Sequence, residues 1–321
     1  MLITFDETVK LIQEGKLLHL AGCEDLIRKL PKGNWVAGSA EQYMTAEGGK
    51  TSSDRIFANV LQYEDFKVSV YDENDMQNVA NDAYDNGYTL LIIPALTKVH
   101  VLYAEKSPEF ENIFLKTVAG WICGANTTRH ATSATTINGV SGEAFTDKAV
   151  ALHIRIPDGK VASIGIVNIF EQDENSPTIE FDEVDFKAVN AKVDGEEVKF
   201  AEYIRKNNID IAFPLVGEYS GFGINTSIQE ISPDGTVSFA APVFPNIKYK
   251  TAKPFESYVD EFASKISLLK GAEYVFSCNC LNNFVHGKLE GKNIDTFFGP
   301  VTYGEIAYQL INQTLVYVTV S

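Results

Sequence analysis

The chain has 321 residues, 45% hydrophobic and 22% charged, an ordinary globular composition with material for more than one core. Its formal net charge of −16, from 43 acidic against 27 basic residues, comes with no basic stripe, which argues against nucleic acid and anionic membrane surfaces as partners. No apolar run reaches the roughly 18–20 residues of a membrane span. Four cysteines do not make a disulfide framework, so free thiols in a reducing cytoplasm are expected.

The N-terminal stretch reads as an amphipathic helix rather than a secretory signal. Thr4-Phe-Asp-Glu7 has capping-box spacing, Val9, Leu11 and Ile12 supply the apolar face, and Gly15 stops the helix before the strand-like run Lys16 to Gly22. "NWVAGSAE" (34–41) follows as a short strand that ends in glycine and small residues. Met76, Val79, Ala80, Ala83 and Tyr84 hold helical spacing, Gly87 suits a left-handed cap, and "YTLLIIP" (88–94) is a buried-strand run. "GWICGANT" (120–127) repeats the Trp-x-x-Gly pattern of residues 35–38. Asp158-Gly159 lies between two alternating apolar runs, as does Asp234-Gly235, and each predicts a hairpin. Asp194-Gly195 predicts the entry to a short helix around Val198 to Ile204.

Near the other end, Phe255, Tyr258, Val259, Phe262, Ile266 and Leu269 keep helical spacing behind Pro254, and Gly271 is expected to stop the helix. "EYVFS" (273–277) is then a strand, and "TFFGPVTYGE" (296–305) is a third, weaker glycine-ended strand. A helix, a strand and a glycine-ended strand thus recur three times, which suggests internal duplication. The acidic segment Glu171 to Asp185 reads as a linker. The expected fold is α/β (mixed α+β): two lobes of mixed β-sheet with helices on the outer faces and internal pseudo-repeats. The lobes are placed at residues 1–172 and 186–321, with 173–185 between them.

The chemistry-bearing residues point away from a metal. Cys278-x-Cys280 with His286 nearby offers soft ligands, but structural zinc uses Cys-x₂₋₄-Cys, and a fourth ligand has no source. No Cys-x-x-Cys redox pair and no Gly-x-Ser-x-Gly elbow is present, and "GEYSGFGIN" (217–225) lacks the lysine of a P-loop. No metal and no cofactor is therefore expected. His19 reads as a near-core residue, His153 as a residue of a sheet's polar face, and His130 as part of a solvated loop. Glu41 and Glu305 both follow glycine turns, where a carboxylate can accept bonds from turn amides or serve acid–base chemistry. The sequons at Asn126, Asn225 and Asn312 are expected to carry no glycan in a cytoplasmic chain.

"EYVFSCNCLNN" (273–283) followed by "DTFFGPVTYGEIAYQLINQTLVYVTV" (295–320) resembles the closing segment of the FIST family, sensory domains of intracellular signal transduction. Cys278 matches that family's cysteine, and Gly299, Gly304, Glu305 and Ile306 match its second motif. The family's arginine-containing turn is absent, and Gln42-Tyr43-Met44 replaces its N-terminal Gly-Glu-Ile. The resemblance implies a non-catalytic, small-molecule sensor of amino-acid-like metabolites that hands its signal to a partner protein. In that reading Gly38, Ser39, Gly124, Asn126, Thr127, Cys278, Asn279, Tyr303, Gly304 and Glu305 converge on one pocket. Gly38→Val and Gly304→Val are expected to lose ligand while keeping the fold. Two alternatives stand beside it: an enzyme using Cys278 or Glu305, and a partner-binding protein with a vestigial pocket. For Cys278 itself, a small buried hydrophobe is an equal alternative to a pocket wall.

Overall fold

The structure, a computed structural model, describes residues 1–124, 134–219, 222–269, 273–294 and 296–321. Local signals build its first helix as expected. The Thr4 hydroxyl accepts from the Glu7 amide while the Glu7 carboxylate accepts from the Thr4 amide, and helix Phe5–Gln13 runs from that box to Gly15, which takes φ +72°.

One supersecondary unit then occurs three times. In the first, the central strand Leu17–Gly22 passes through the short helix Glu24–Ile27 to strand Trp35–Ser39, parallel to it, and strand Ile56–Leu61 returns antiparallel on the other side. In the second, Gly87–Pro94, helix Lys98–Lys106, parallel strand Thr117–Cys123 and antiparallel strand Ala149–Arg155 repeat the plan. In the third, it is built from Tyr274–Cys280, helix Leu281–His286, Gly299–Thr302 and Leu315–Val320. The three glycine-ended strands singled out in the sequence are the parallel strands of these units.

Each unit gives away the hairpin that follows its parallel strand. The first unit's hairpin (Gln42–Thr45 with Gly48–Thr51) pairs with the third unit's strand, Met44 opposite Gly299. The second unit's (Thr136–Asn138 with Glu143–Phe145) pairs with the first's, Ile137 opposite Ala37. The third's (Glu305–Ala307 with Gln309–Ile311) pairs with the second's, Ile306 opposite Gly120. The exchange closes a ring of three six-stranded sheets of one strand order. Strands from both sides of residues 173–185 therefore share sheets, including Ala162–Val167 with Leu315–Val320.

Alternation along the strands sends one face of all three sheets into a common core that holds Val36, Ile92, Trp121, Phe276, Cys278 and Val318. Helices cover the outer faces: Ile12 and Ile27 on the first unit, Val99 and Tyr103 on the second, Phe262 and Phe284 on the third. The α/β architecture with outer helices is thus as expected, and its helices are few and short, the longest Tyr258–Ser267. Gly271 lies outside the described residues. Residues 179–251 add a six-stranded antiparallel sheet and a three-stranded one around a core of their own.

Three local expectations are corrected. Met76, Val79 and Ala80 are buried, but the regular structure there is a single 3₁₀ turn, Met76–Asn78, and Gly87 lies in the strand with Ile154 O at 2.1 Å from where a Cβ would stand. A side chain at residue 87 would push the returning strand away, which is the reason for glycine there. Asp158-Gly159 makes a turn with Gly159 at φ +82°, but no hairpin: the strand before it pairs inside the second sheet and the strand after it with Leu315–Val320. Asp194-Gly195 (φ +48° and +85°) is itself a two-residue hairpin turn with Val193 opposite Glu196, and the helix Phe200–Lys206 begins later. The Asp234-Gly235 hairpin forms as expected.

Candidate functional site

The parallel strands end at Ser39, Cys123 and Thr302. Crevices beyond the carboxyl ends of parallel strands are where open α/β sheets bind ligands, because strands diverge there and free backbone groups are exposed. The turns of the first two units are tied together. Ser39 Oγ donates to Gly124 O (2.8 Å) and accepts from the Thr135 amide (2.9 Å), and Gly124 N–H donates to Ser39 O (3.3 Å). The third unit joins through Tyr303, whose ring occupies the space a Cβ on Gly124 would need, 1.8 Å away. Burial and then the Glu41 charge raise the Tyr303 pKa, so the first unit's carboxylate is within its field. Ser39, Gly124 and Tyr303 are brought together; Asn126, Thr127 and His130 lie outside the described residues.

Gly38 and Gly304 have a different task. A Cβ on Gly38 would stand 2.6 Å from the Trp121 ring, and one on Gly304 2.8 Å from Leu310. Gly38 is thus a contact glycine between the first and second units, whereas Gly304 packs first on its own unit's hairpin and then on Ile122 of the second unit, 3.2 Å away. Valine at Gly38 would force the units apart, so the expectation of a folded Gly38→Val variant is corrected.

Glu305 sits deeper. Its side chain is wholly buried, with Oε1 3.0 Å from Thr302 Oγ1 and Oε2 accepting from both the Thr314 amide (3.1 Å) and the Thr314 hydroxyl (2.8 Å). Burial lifts its pKa to about 8, with Thr314, Thr302 and Cys280 partly offsetting that rise. The carboxyl thus holds its proton at neutral pH. The Thr302 hydroxyl has two acceptors within reach, Glu305 Oε1 (3.0 Å) and Asn279 O (3.2 Å).

Around it runs a buried polar network centred on Asn312-Gln313-Thr314. Asn283 Nδ2 donates to Asn279 Oδ1 (3.0 Å) and Thr314 O (3.3 Å), and Ser227 donates through its amide and hydroxyl to Asn312 Oδ1 (3.0 and 2.8 Å). Gln313, at φ +51°, gives its Nε2 to Ala212 O (3.0 Å). Three amide atoms of this network, Asn279 Nδ2, Asn283 Oδ1 and Asn312 Nδ2, are buried without a protein partner. Thr302, Thr314, Asn283, Asn312, Gln313 and Ser227 were missed at the level of sequence. For Asn312, Gln313 and Thr314 the signal is a polar triplet cutting an apolar run, "YQLI-NQT-LVYV" (308–318); Thr302, Asn283 and Ser227 have no comparable local signal.

The cysteines answer differently from each other. Cys278 packs in the common core, its thiol donating to Gly120 O at 3.5 Å, whereas Cys280 lies beside Glu305. Burial first, then Glu305, pushes both thiols well above the usual range. Among the described residues no three His, Cys, Asp or Glu side chains are grouped to hold a metal ion. His153 is corrected from a polar-face position: it is buried between Tyr71 OH (3.1 Å) and Thr89 Oγ1 (2.8 Å) because strands flank it on both sides. His19 is buried against Trp121 and Phe276, accepts from Trp121 Nε1 (2.9 Å), and has its pKa lowered by burial to about 3.

Among the described residues no helix is long and apolar enough to cross a membrane. A family model described as a family of unknown function (DUF6976) matches residues 3–321. No curated protein and no solved structure matches the chain. The FIST resemblance is therefore corrected: the family model that matches residues 3–321 is a different one, and it spans the segment that carried the resemblance. The fold gives those residues another reason, since a Cβ on Gly299 would meet Ser277 O at 1.9 Å, Gly304 packs on Leu310, and Glu305 is a buried network member. The sensory and signalling role rested on that resemblance alone.

Proposed function

We propose that this chain, which belongs to that family of unknown function, binds a small polar metabolite without transforming it, beside Glu305 at the strand ends of the third unit. The observation that carries the reading is the set of orphaned amide atoms on Asn279, Asn283 and Asn312. A buried polar atom left unpaired costs about 1–3 kcal/mol, so native proteins give such atoms a water or a ligand. Two donors and one acceptor beside a carboxyl that keeps its proton make a neutral environment. That favours an uncharged or zwitterionic molecule of amino-acid size over an anion. A reducing cytoplasm fits the burial of the sequon residues Asn225 and Asn312, since the folded core has no room for a glycan on either side chain.

Thiol catalysis is the weaker reading. An activated nucleophile needs a depressed pKa or a base in contact, and both thiols are shifted the opposite way. Both oxygens of Glu305 are already engaged. The test is the mass of gently purified protein under native against denaturing conditions, with thermal shifts across neutral and zwitterionic metabolites. A released small mass, or a stabilising compound whose effect is lost in Asn283→Ala, is the expected result. The absence of both a mass difference and a stabilising compound would sink the reading.

A further inference from the structure

On the far side of the first unit's exported hairpin lies a cleft of about 800 Å³ that shares no residue with the Glu305 network. It is lined by Leu2 and Phe57 of the first unit, Phe298 of the third, and Lys50 and Arg55, with Glu47 the one carboxylate among the described residues that line it. The volume falls in the range of about 300–1,000 Å³ typical of small-molecule sites. The cations are weakly held. Lys50 reaches Glu47 only at 3.6 Å and Arg55 reaches Asp54 only at 4.0 Å, with both side chains nearly half exposed. Glu47 is occupied by the Thr45 hydroxyl at 3.0 Å, and the amine of Met1 is spent on Ala58 O at 2.9 Å. In a chain of net charge −16, a recess whose lining cations outnumber its carboxylates runs against the surrounding field.

We propose that this cleft is a second binding site, for a small anion with a flat apolar body such as an aromatic carboxylate, sulfonate or phosphate. The Phe57 and Phe298 rings take the flat body, and Lys50 and Arg55 take the anionic group through charge-assisted hydrogen bonds. Because the lining joins two units that meet through the exported hairpin, a molecule seated there also bridges the first and third sheets.

The probe is 1-anilinonaphthalene-8-sulfonate, titrated by fluorescence into the whole chain, with the uncharged N-phenyl-1-naphthylamine as its comparison. Saturable one-site binding is expected, weakened about tenfold or more in Lys50→Glu/Arg55→Glu and for the uncharged probe. Both substitutions are at exposed positions, and circular dichroism checks the fold; should it change, Lys50→Ala alone is read, and it must still weaken binding. No saturable binding by the unaltered chain, undiminished binding by the charge variants, or equally tight binding of the uncharged probe overturns the proposal. The outcome is independent of the metabolite reading, whose ligands are neutral or zwitterionic and whose residues lie elsewhere.

Discussion

Glu305 holds a proton in the folded chain, at a pKa of about 8, that the unfolded chain releases near the ordinary value of 4.5. Between those values the folded state binds more protons, so its contribution to stability falls as pH rises and levels off above pH 8. The buried histidines act in the opposite sense. His19, His100 and His153 have their pKa values lowered by burial from 6.5 to between about 3 and 4, so their cost appears as pH falls below 6.5. Comparing Glu305→Gln with the unaltered chain cancels the histidines. The amide is uncharged, like the protonated carboxyl, and keeps an acceptor for Thr314. Its stability advantage in chemical denaturation is expected to grow from pH 5 to pH 8, by a few kcal/mol at most on an order-of-magnitude basis. A difference flat across that range would refute the protonated state. The thiols give a second check: all four cysteines are buried, so iodoacetamide at pH 7 is expected to leave them unmodified until the chain is denatured. Fast alkylation of Cys280 in the native protein would instead favour the enzyme reading.

At the scale of elements, glycine marks where two backbones touch. Gly120 lies in the second unit's parallel strand at φ +156°, and a Cβ there would stand 1.9 Å from Leu91 O in the neighbouring central strand. That same strand accepts the third unit's hairpin, Ile306 opposite Gly120. Gly120→Ala is expected to cost more than the roughly 1–3 kcal/mol of ordinary overpacking, since backbone must move rather than a side chain. Gly195→Ala meets nothing within 4 Å and is strained only by its φ of +85°, so its loss should be about 1 kcal/mol. Equal melting temperatures for the two variants would contradict that close approach of the second unit's central and parallel strands. Elements of this kind were largely legible. Strand runs, capping box and Asp-Gly turns are set by neighbours in sequence, whereas the partner a turn delivers its strand to is not, and the Asp158-Gly159 turn shows the difference.

For the molecule as a whole, the exchange of hairpins makes the three units mutually dependent. The first sheet needs the second unit's hairpin, the second needs the third's, and the third needs the first's. A chain ended at residue 172 lacks the third unit's central and parallel strands and exposes the Phe276 and Cys278 side of the common core. It is expected to remain unfolded, as circular dichroism and proteolysis would register. A stable, cooperatively melting fragment would mean that the first two units close without the third.

The sequence by itself determined the recurring unit and the class of fold. Each rests on local chemistry: apolar periodicity, the freedom of glycine, and side chains that cap nearby amides. Tertiary structure decided the ring order of the hairpins and the split roles of Cys278 and Cys280. It also assembled the polar network around Asn312, Gln313 and Thr314. Those outcomes depend on contacts between residues up to hundreds of positions apart, such as Cys278 with Gly120 and Ser227 with Asn312. The free energy of a buried polar group is set by whichever partner the packed chain brings to it, and no spacing within a strand encodes that partner.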